Sequence, residues 1–244
     1  RASRRNLTNF QAYCQQTHQT FLPATTDTLV GFIDHLLQQK LSAHYIRRHM
    51  TAIAHLHRMS RYPDPTLDPE IKLAMRRVFR QQGRFQKQAY PIQQEQIKRM
   101  LSSLSDDLYG HRDRVLLLIA YENLLRRSEL VSLRMEDLKS LDHPQYCAKI
   151  LLRKSKTDPF KEGRWLYLTQ ETYTAINAWV KAANIKQGYL LRGIRKGNHL
   201  TQQLTGCQVN KILKKRAVDA GLTKEVVGHI SGHSIRVGAA QDLC

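Results

Sequence analysis

Three stretches of this chain carry side chains suited to handling phosphate. Leu124-Leu125-Arg126-Arg127-Ser128-Glu129-Leu130 sets two arginines directly after an apolar run, with an arginine and Glu129 three apart on one helical face. Lys154 and Lys156 lie in the polar segment Lys154-Ser155-Lys156-Thr157-Asp158-Pro159. His233-Ser234-Ile235-Arg236 places an imidazole and a guanidinium three apart. Taken alone, each signal is weak: the first reads as a structural ion pair, the second as solvated turn lysines, and the third is no more specific. Together they make a phosphoryl-transfer site. Two guanidiniums can fork onto the non-bridging oxygens of one phosphate. A turn lysine can protonate a leaving oxygen, and a histidine beside the second arginine can move a proton or hold an oxygen. Side chains would then stabilise a pentacoordinate phosphorus without a metal. No carboxylate cluster points to a metal ion and no glycine-rich nucleotide loop occurs, so no metal and no cofactor are expected.

The elements that must position these groups fall into two halves. Before residue 145 the pattern is helical throughout. Thr25-Thr26-Asp27 is an N-cap cluster, followed by Leu29, Phe32, Ile33, Leu36 and Leu37 on one face. Ile46, Met50, Ile53, Ala54 and His57 make a second face, which stops before Pro63-Asp64-Pro65. Pro69-Glu70 opens a third helix that turns Ile71, Met75, Val78 and Phe79 inward. His49, His55 and His57 sit in a helix whose apolar positions need filling, so His57 reads as a satisfied core or capping histidine. The second half is mixed. Helices carry Ile97, Met100, Leu101 and Leu104, then Val115, Leu116, Leu118 and Ile119, then 127–133. Strand-like runs at 146–152 and 165–168 flank a turn at 154–159. Helices return near 170–183 and 205–220, with Gly221 as the residue past the helix end, and again over 231–243.

Charge and composition narrow the partners. The 244 residues hold 39 Lys+Arg against 20 Asp+Glu, a formal net charge of +19, and 41% hydrophobic residues support a packed core. Such a charge points to a polyanion, nucleic acid or an anionic surface. It is shared: 14 basic and 5 acidic residues over 1–90, 25 and 15 over 91–244. Residues 71–94 contain Lys72, Arg76, Arg77, Arg80, Arg84 and Lys87 and no acid, and their polar end around Gly83 reads as a linker. The expected organisation is a helical unit over 1–82, a linker over 83–91 and a second unit over 92–244. The longest apolar run, near 115–120, is far below the ~20 residues of a membrane span. Cys14, Cys147, Cys207 and Cys244 are scattered with no Cys-x-x-Cys pair, which fits a reducing compartment.

At these residues the sequence resembles the tyrosine site-specific recombinases of the phage integrase family. Leu124-Leu125-Arg126-x-x-Glu129 is similar to the family's first-arginine segment, Lys156 to its hairpin lysine, and Gly232-His233-Ser234-Ile235-Arg236-Val237-Gly238-Ala239-Ala240 to its His-x-x-Arg box. Leu56-His57-Arg58-x-Ser60-x-x-Pro63-x-Pro65 and Leu73-x-Met75-Arg76-Arg77 are similar to its DNA-binding helices. The resemblance covers nearly the whole chain.

It implies a mainly α fold with a small β-sheet: a helical core-binding domain and a mixed α/β catalytic domain forming a C-shaped DNA clamp. It implies a recombinase that cleaves and rejoins DNA strands through a 3′-phosphotyrosyl intermediate without metal or ATP. Arg126, chosen over Arg127, and Arg236 would hold the scissile phosphate, Glu129 would orient the site, Lys156 would be general acid and His233 would assist proton transfer. His44, Arg47, Arg48, Arg76, Arg77, Arg80, Arg84 and Lys87 would contact DNA, with Arg48 a candidate for base reading. The implied partner is double-stranded DNA with inverted-repeat sites, bound by a homotetramer on two sites in a bacterial cytoplasm, encoded by a plasmid or phage. The family's second His or Trp, its nucleophilic Tyr and its last helix lie beyond the box, whereas the sequence stops at Cys244 and opens on Arg1 within a helix. Tyr146, Tyr167, Tyr173 and Tyr189 all precede the box. The expectation is a chain trimmed at both ends that binds DNA without cutting it. The alternative is a non-catalytic DNA-binding relative. A type IB topoisomerase would share the catalytic groups, but the helices of the first half argue against it.

Overall fold

The computed structural model describes residues 2–83, 88–155, 158, 160 and 162–243. It divides into two units, residues 1–86 and 87–244.

The first unit contains helices α1 (Ala2–Gln16), α2 (Thr26–Gln38), α3 (Ala43–Met59) and α4 (Pro69–Gln82). Local chemistry sets where they begin. The Thr25 hydroxyl accepts from the Thr28 N–H at 3.2 Å, satisfying a donor that every helix start leaves orphaned. Asp68 does the same for Glu70 at 2.8 Å, and Pro69 follows where its missing N–H costs nothing. Phe10, Leu29, Phe32, Ile33, Ile46, Ile53, Ile71 and Val78 fill the core. Each such burial stabilises the unit by ~1.5–3 kcal/mol. His57 lies within it, fully buried, with Nε2 accepting from the Ala24 N–H at 2.9 Å and Nδ1 2.9 Å from the Ile53 carbonyl. Both ring nitrogens are satisfied, so this is a core histidine that ties α3 to the approach of α2.

The second unit is built round α6 (Leu108–Glu122). Its residues Val115, Leu116, Leu117, Leu118, Ile119 and Ala120 are all buried, so this stretch of the helix is apolar on every side and must be central. Against it pack α5 (Gln94–Ser102), the single turn α7 (Arg127–Leu130), α8 (Gln170–Ala182) and α11 (Ser234–Asp242); α9 (Gly206–Asp219) and α10 (Lys224–His229) pair with each other. Two charges near the start of α6 are also buried. Asp113 accepts from Arg112 at 2.8 Å and from Arg216 of α9 at 2.7 Å, and Arg216 reaches Asp219 at 2.9 Å. A buried carboxylate is tolerated because two guanidiniums surround it. Gly221 follows α9 at φ 77°, with Gly221 and Leu222 N–H groups returning to Val218 and Ala217 carbonyls.

The sheet is antiparallel, ordered β1 (Leu138–Ser140), β2 (Ala148–Leu152) and β3 (Arg164–Leu168), with Ile150 opposite both Leu138 and Leu166. The sequence pattern shows no strand before residue 145. β1 has only three residues, too few to display a two-residue period. The β2–β3 connection is also longer than the expected turn, running from 153 to 163. The fold is mainly α with one small sheet. Among the described residues no helix is long and apolar enough to cross a membrane.

Candidate functional site

Helix α6 ends by turning sharply. Asn123 and Leu125 donate back to the Ile119 and Ala120 carbonyls, and Leu124 between them is held at φ 48°. This is the left-handed helix stop that usually takes Gly or Asn. A leucine there costs ~1–2 kcal/mol. Leu125 is driven into the core, and the next residue, Arg126, emerges at the head of α7.

Glu129 fixes that arginine. Its carboxylate accepts from the Arg126 backbone N–H at 3.0 Å, from the Arg126 guanidinium at 2.8 Å and from the Ser155 hydroxyl at 2.8 Å. Glu129 is 3% exposed. Burial pushes its carboxyl up, but these hydrogen bonds and the Arg126 charge outweigh that and hold it below the ordinary range. The carboxylate is thus ionised, and Arg126 is positioned from both backbone and side chain. Ser155 arrives from the end of β2, 26 residues along the chain.

Arg126, Ser155 and Arg236 line one open cleft of about 1180 Å³, together with Glu122, Leu124, Tyr146, Trp165 and Tyr167. Arg236 is the third residue of α11. The Ile92 N–H donates to the Ser234 carbonyl at 3.0 Å and the Gln94 N–H to the Asp242 carboxylate at 2.8 Å, while the Tyr90 N–H donates to the carbonyl of His229 in α10 at 3.1 Å. Gly238 permits this approach, because a Cβ there would overlap the Ile92 carbonyl. Two guanidiniums on one cleft give it paired forks of donors for an oxyanion. His233 heads α11 and lines an adjoining cavity of about 450 Å³ with Arg236. Arg127 instead lies against Gly206 and Gly232, where a Cβ would come 3.0 Å from its side chain. Lys154 is exposed, and Lys156 lies outside the described residues. Sequence reasoning did not single out Ser155 or the Leu124 turn. Among the described residues no group of three or more His, Cys, Asp or Glu is placed to hold a metal ion.

In the first unit, α3 and α4 frame a groove of about 640 Å³ lined by His44, Arg47, Lys72, Met75, Arg76 and Phe79. The His44 ring meets the Phe79 ring edge-on at 5.9 Å. Arg48 is exposed on α3 and does not line this groove; Arg80 is exposed near the end of α4. Arg77 pairs with Asp34 of α2. Arg84 and Lys87 lie outside the described residues.

Residues 91–244 match the model of the phage integrase family. An integrase/recombinase XerD homolog of Selenomonas ruminantium is 32% identical, over 95% of this chain and 69% of its own length. The Cre recombinase of Escherichia phage P1 is 25% identical, over 96% and 73%. The crystal structure of the XerH site-specific recombinase bound to difH substrate shares the fold with a TM-score of 0.60 at 17% identity, over 97% of this chain and 65% of that one.

Proposed function

The chain belongs to the phage integrase family of tyrosine recombinases, and from that premise we propose that its cleft takes the scissile phosphate of a DNA site and that the whole protein cleaves and rejoins strands there. The observation that carries the reading is Arg126 and Arg236 on one cleft, with Arg126 held by a buried, ionised Glu129.

In this reading the two arginines bind the non-bridging oxygens. Their charge stabilises the pentacoordinate phosphorus more strongly than the ground state, since the extra negative charge develops there. A tyrosine hydroxyl attacks phosphorus and the bond to the 5′ oxygen breaks. Lys156 gives that oxygen its proton, and His233 assists proton transfer at the phosphate. The product is a 3′-phosphotyrosyl ester and a free 5′ hydroxyl. The ester conserves the bond energy, so the same steps in reverse rejoin a strand without ATP or metal. The nucleophile of the family is a tyrosine that follows the His-x-x-Arg box, and in this reading Arg126 and Arg236 hold the phosphate for its attack. Glu129 is a positioning residue acting through Arg126.

DNA contacts in the first unit are assigned to His44, Arg47, Arg48, Arg76, Arg77, Arg80, Arg84 and Lys87. The groove unites His44, Arg47 and Arg76 and adds Lys72. The Asp34 pairing makes Arg77 the weakest member of that set. The partner is duplex DNA with inverted-repeat sites, two of which a homotetramer brings together.

The test is a suicide-substrate cleavage assay on the complete reading frame. The parent forms a covalent protein–DNA complex. Arg126→Ala slows its formation by ~10²–10³-fold or more, while duplex affinity changes by less than ~10-fold. Covalent complex formed by Arg126→Ala at the parent rate would refute the role. A complete protein that binds but never forms the complex would be a non-catalytic relative.

A further inference from the structure

The sheet buries Ala148, Ile150, Leu152, Leu166 and Leu168 on one face and presents Lys139, Lys149, Leu151, Trp165 and Tyr167 on the other. Lys139 and Lys149 stand directly opposite each other across β1 and β2. Like charges in that position disfavour a sheet. Both ammonium groups lie over the Trp165 ring, 5.3 and 4.8 Å from its centroid. Among the described residues no carboxylate forms an ion pair with either lysine. Tyr167 is 47% exposed, and its ring lies 5.4 Å from that of Tyr146. Tyr146, Trp165 and Tyr167 line the same cleft as Arg126 and Arg236.

This face combines one exposed and two half-buried aromatic rings with positive charge that no carboxylate pairs with among the described residues, and it begins at the phosphate site. Resting on the reading of the cleft given above, we propose that the outer face of the sheet is a platform for an unpaired DNA strand next to the scissile phosphate, with Trp165, Tyr167 and Tyr146 stacking its bases and Lys139 and Lys149 taking its backbone phosphates. A duplex keeps its base faces stacked inside and offers none to Trp165; an unpaired strand offers one per nucleotide. Trp165 and Tyr167 are two residues apart on β3, a rise of about 6.7 Å along the strand backbone, twice the ~3.4 Å rise of stacked bases. The lysines can leave the tryptophan for phosphate, because a cation–π contact is a modest one at a ring that, like Trp165, is half-buried. Rejoining to a new partner requires the freed 5′ strand to leave its own duplex, so such a strand must exist beside this cleft.

Tryptophan fluorescence tests the platform on the 244-residue chain. The sequence has two tryptophans, and Trp179 is fully buried with its indole N–H donated to the Leu190 carbonyl. Quenching by a short oligothymidylate therefore reports Trp165. Saturable quenching is expected. Anisotropy of the labelled oligonucleotide should show Trp165→Ala and Tyr167→Ala each weakening binding by ~10-fold, with Trp165→Phe restoring most of it because a ring returns. If Trp165→Ala does not fold, Tyr167→Ala and the parent's quenching decide. A mixed-sequence duplex is titrated in parallel. Duplex binding with no quenching by the oligonucleotide, or with both alanine variants at parent affinity, overturns the platform and leaves the recombinase reading standing. Quenching without any duplex binding overturns the recombinase reading and leaves a single-strand platform.

Discussion

Arg126 and Glu129 are bound to each other twice, through backbone and side chain, and this redundancy fixes the guanidinium without help from solvent. Glu129 titrates below its usual value in the folded chain, so its stabilisation is present above its unfolded pKa, near 4.5, and disappears as pH falls through the lower folded one. Glu129→Gln keeps the shape but removes the charge. At neutral pH it should destabilise by about 1–2 kcal/mol, the worth of charge-assisted hydrogen bonds at a partly exposed partner. Thermal melts of parent and variant across pH 3–7 check this (roughly the window around that pKa): the gap narrows below pH 4.5 and closes in stronger acid. A gap independent of pH would refute the assignment. The pair was legible because its members lie three apart on one turn. Ser155 was not, since it is an unremarkable hydroxyl 26 positions from the carboxylate it serves. Nor does any residue type announce the left-handed backbone at Leu124.

Helix α11 owes its position to a glycine. Gly238 faces the Ile92 backbone with no room for a methyl group, so Gly238→Ala must push α11 away from residues 92–93 or overpack. The expected cost is ~1–3 kcal/mol, with DNA affinity falling as Arg236 moves with its helix; urea unfolding and duplex titration read the two effects. Unchanged stability would mean the segment yields freely. At this scale the sequence read well wherever a chemical signal was strong: the Thr25 cap, Pro69 at a helix start, Gly221 past a helix end and the apolar run of α6. It failed where elements were short. Three-residue β1 and six-residue α10 carry too few positions for a period to show. The β2–β3 connection outran the expected turn, and just ahead of β3 the Asp158 carboxylate accepts from the Glu162 and Gly163 N–H groups.

Across the whole chain, the +19 charge is divided between the two units rather than held in a tail. Binding to duplex DNA should therefore be strongly salt-dependent, because each neutralised phosphate releases counterions. If about six phosphates are contacted, affinity should drop ~10³-fold between about 50 and 200 mM salt. A flat double-logarithmic plot of affinity against salt would contradict an electrostatic DNA interface. The charge was evident from composition; the meeting of Arg126 with Arg236 on one cleft, and of Arg47 with Lys72 and Arg76 on one groove, emerged only when separate segments came together. That long-range assembly sets a timetable. Gln94 and Asp242 are 148 residues apart, yet they close the seat of α11. On a ribosome adding ~5–20 residues each second, the early half of that seat waits on the order of 7–30 s for its partner. A nascent copy therefore carries Arg126 well before Arg236, and the phosphate cleft cannot assemble until both arginines and the seat of α11 have been made.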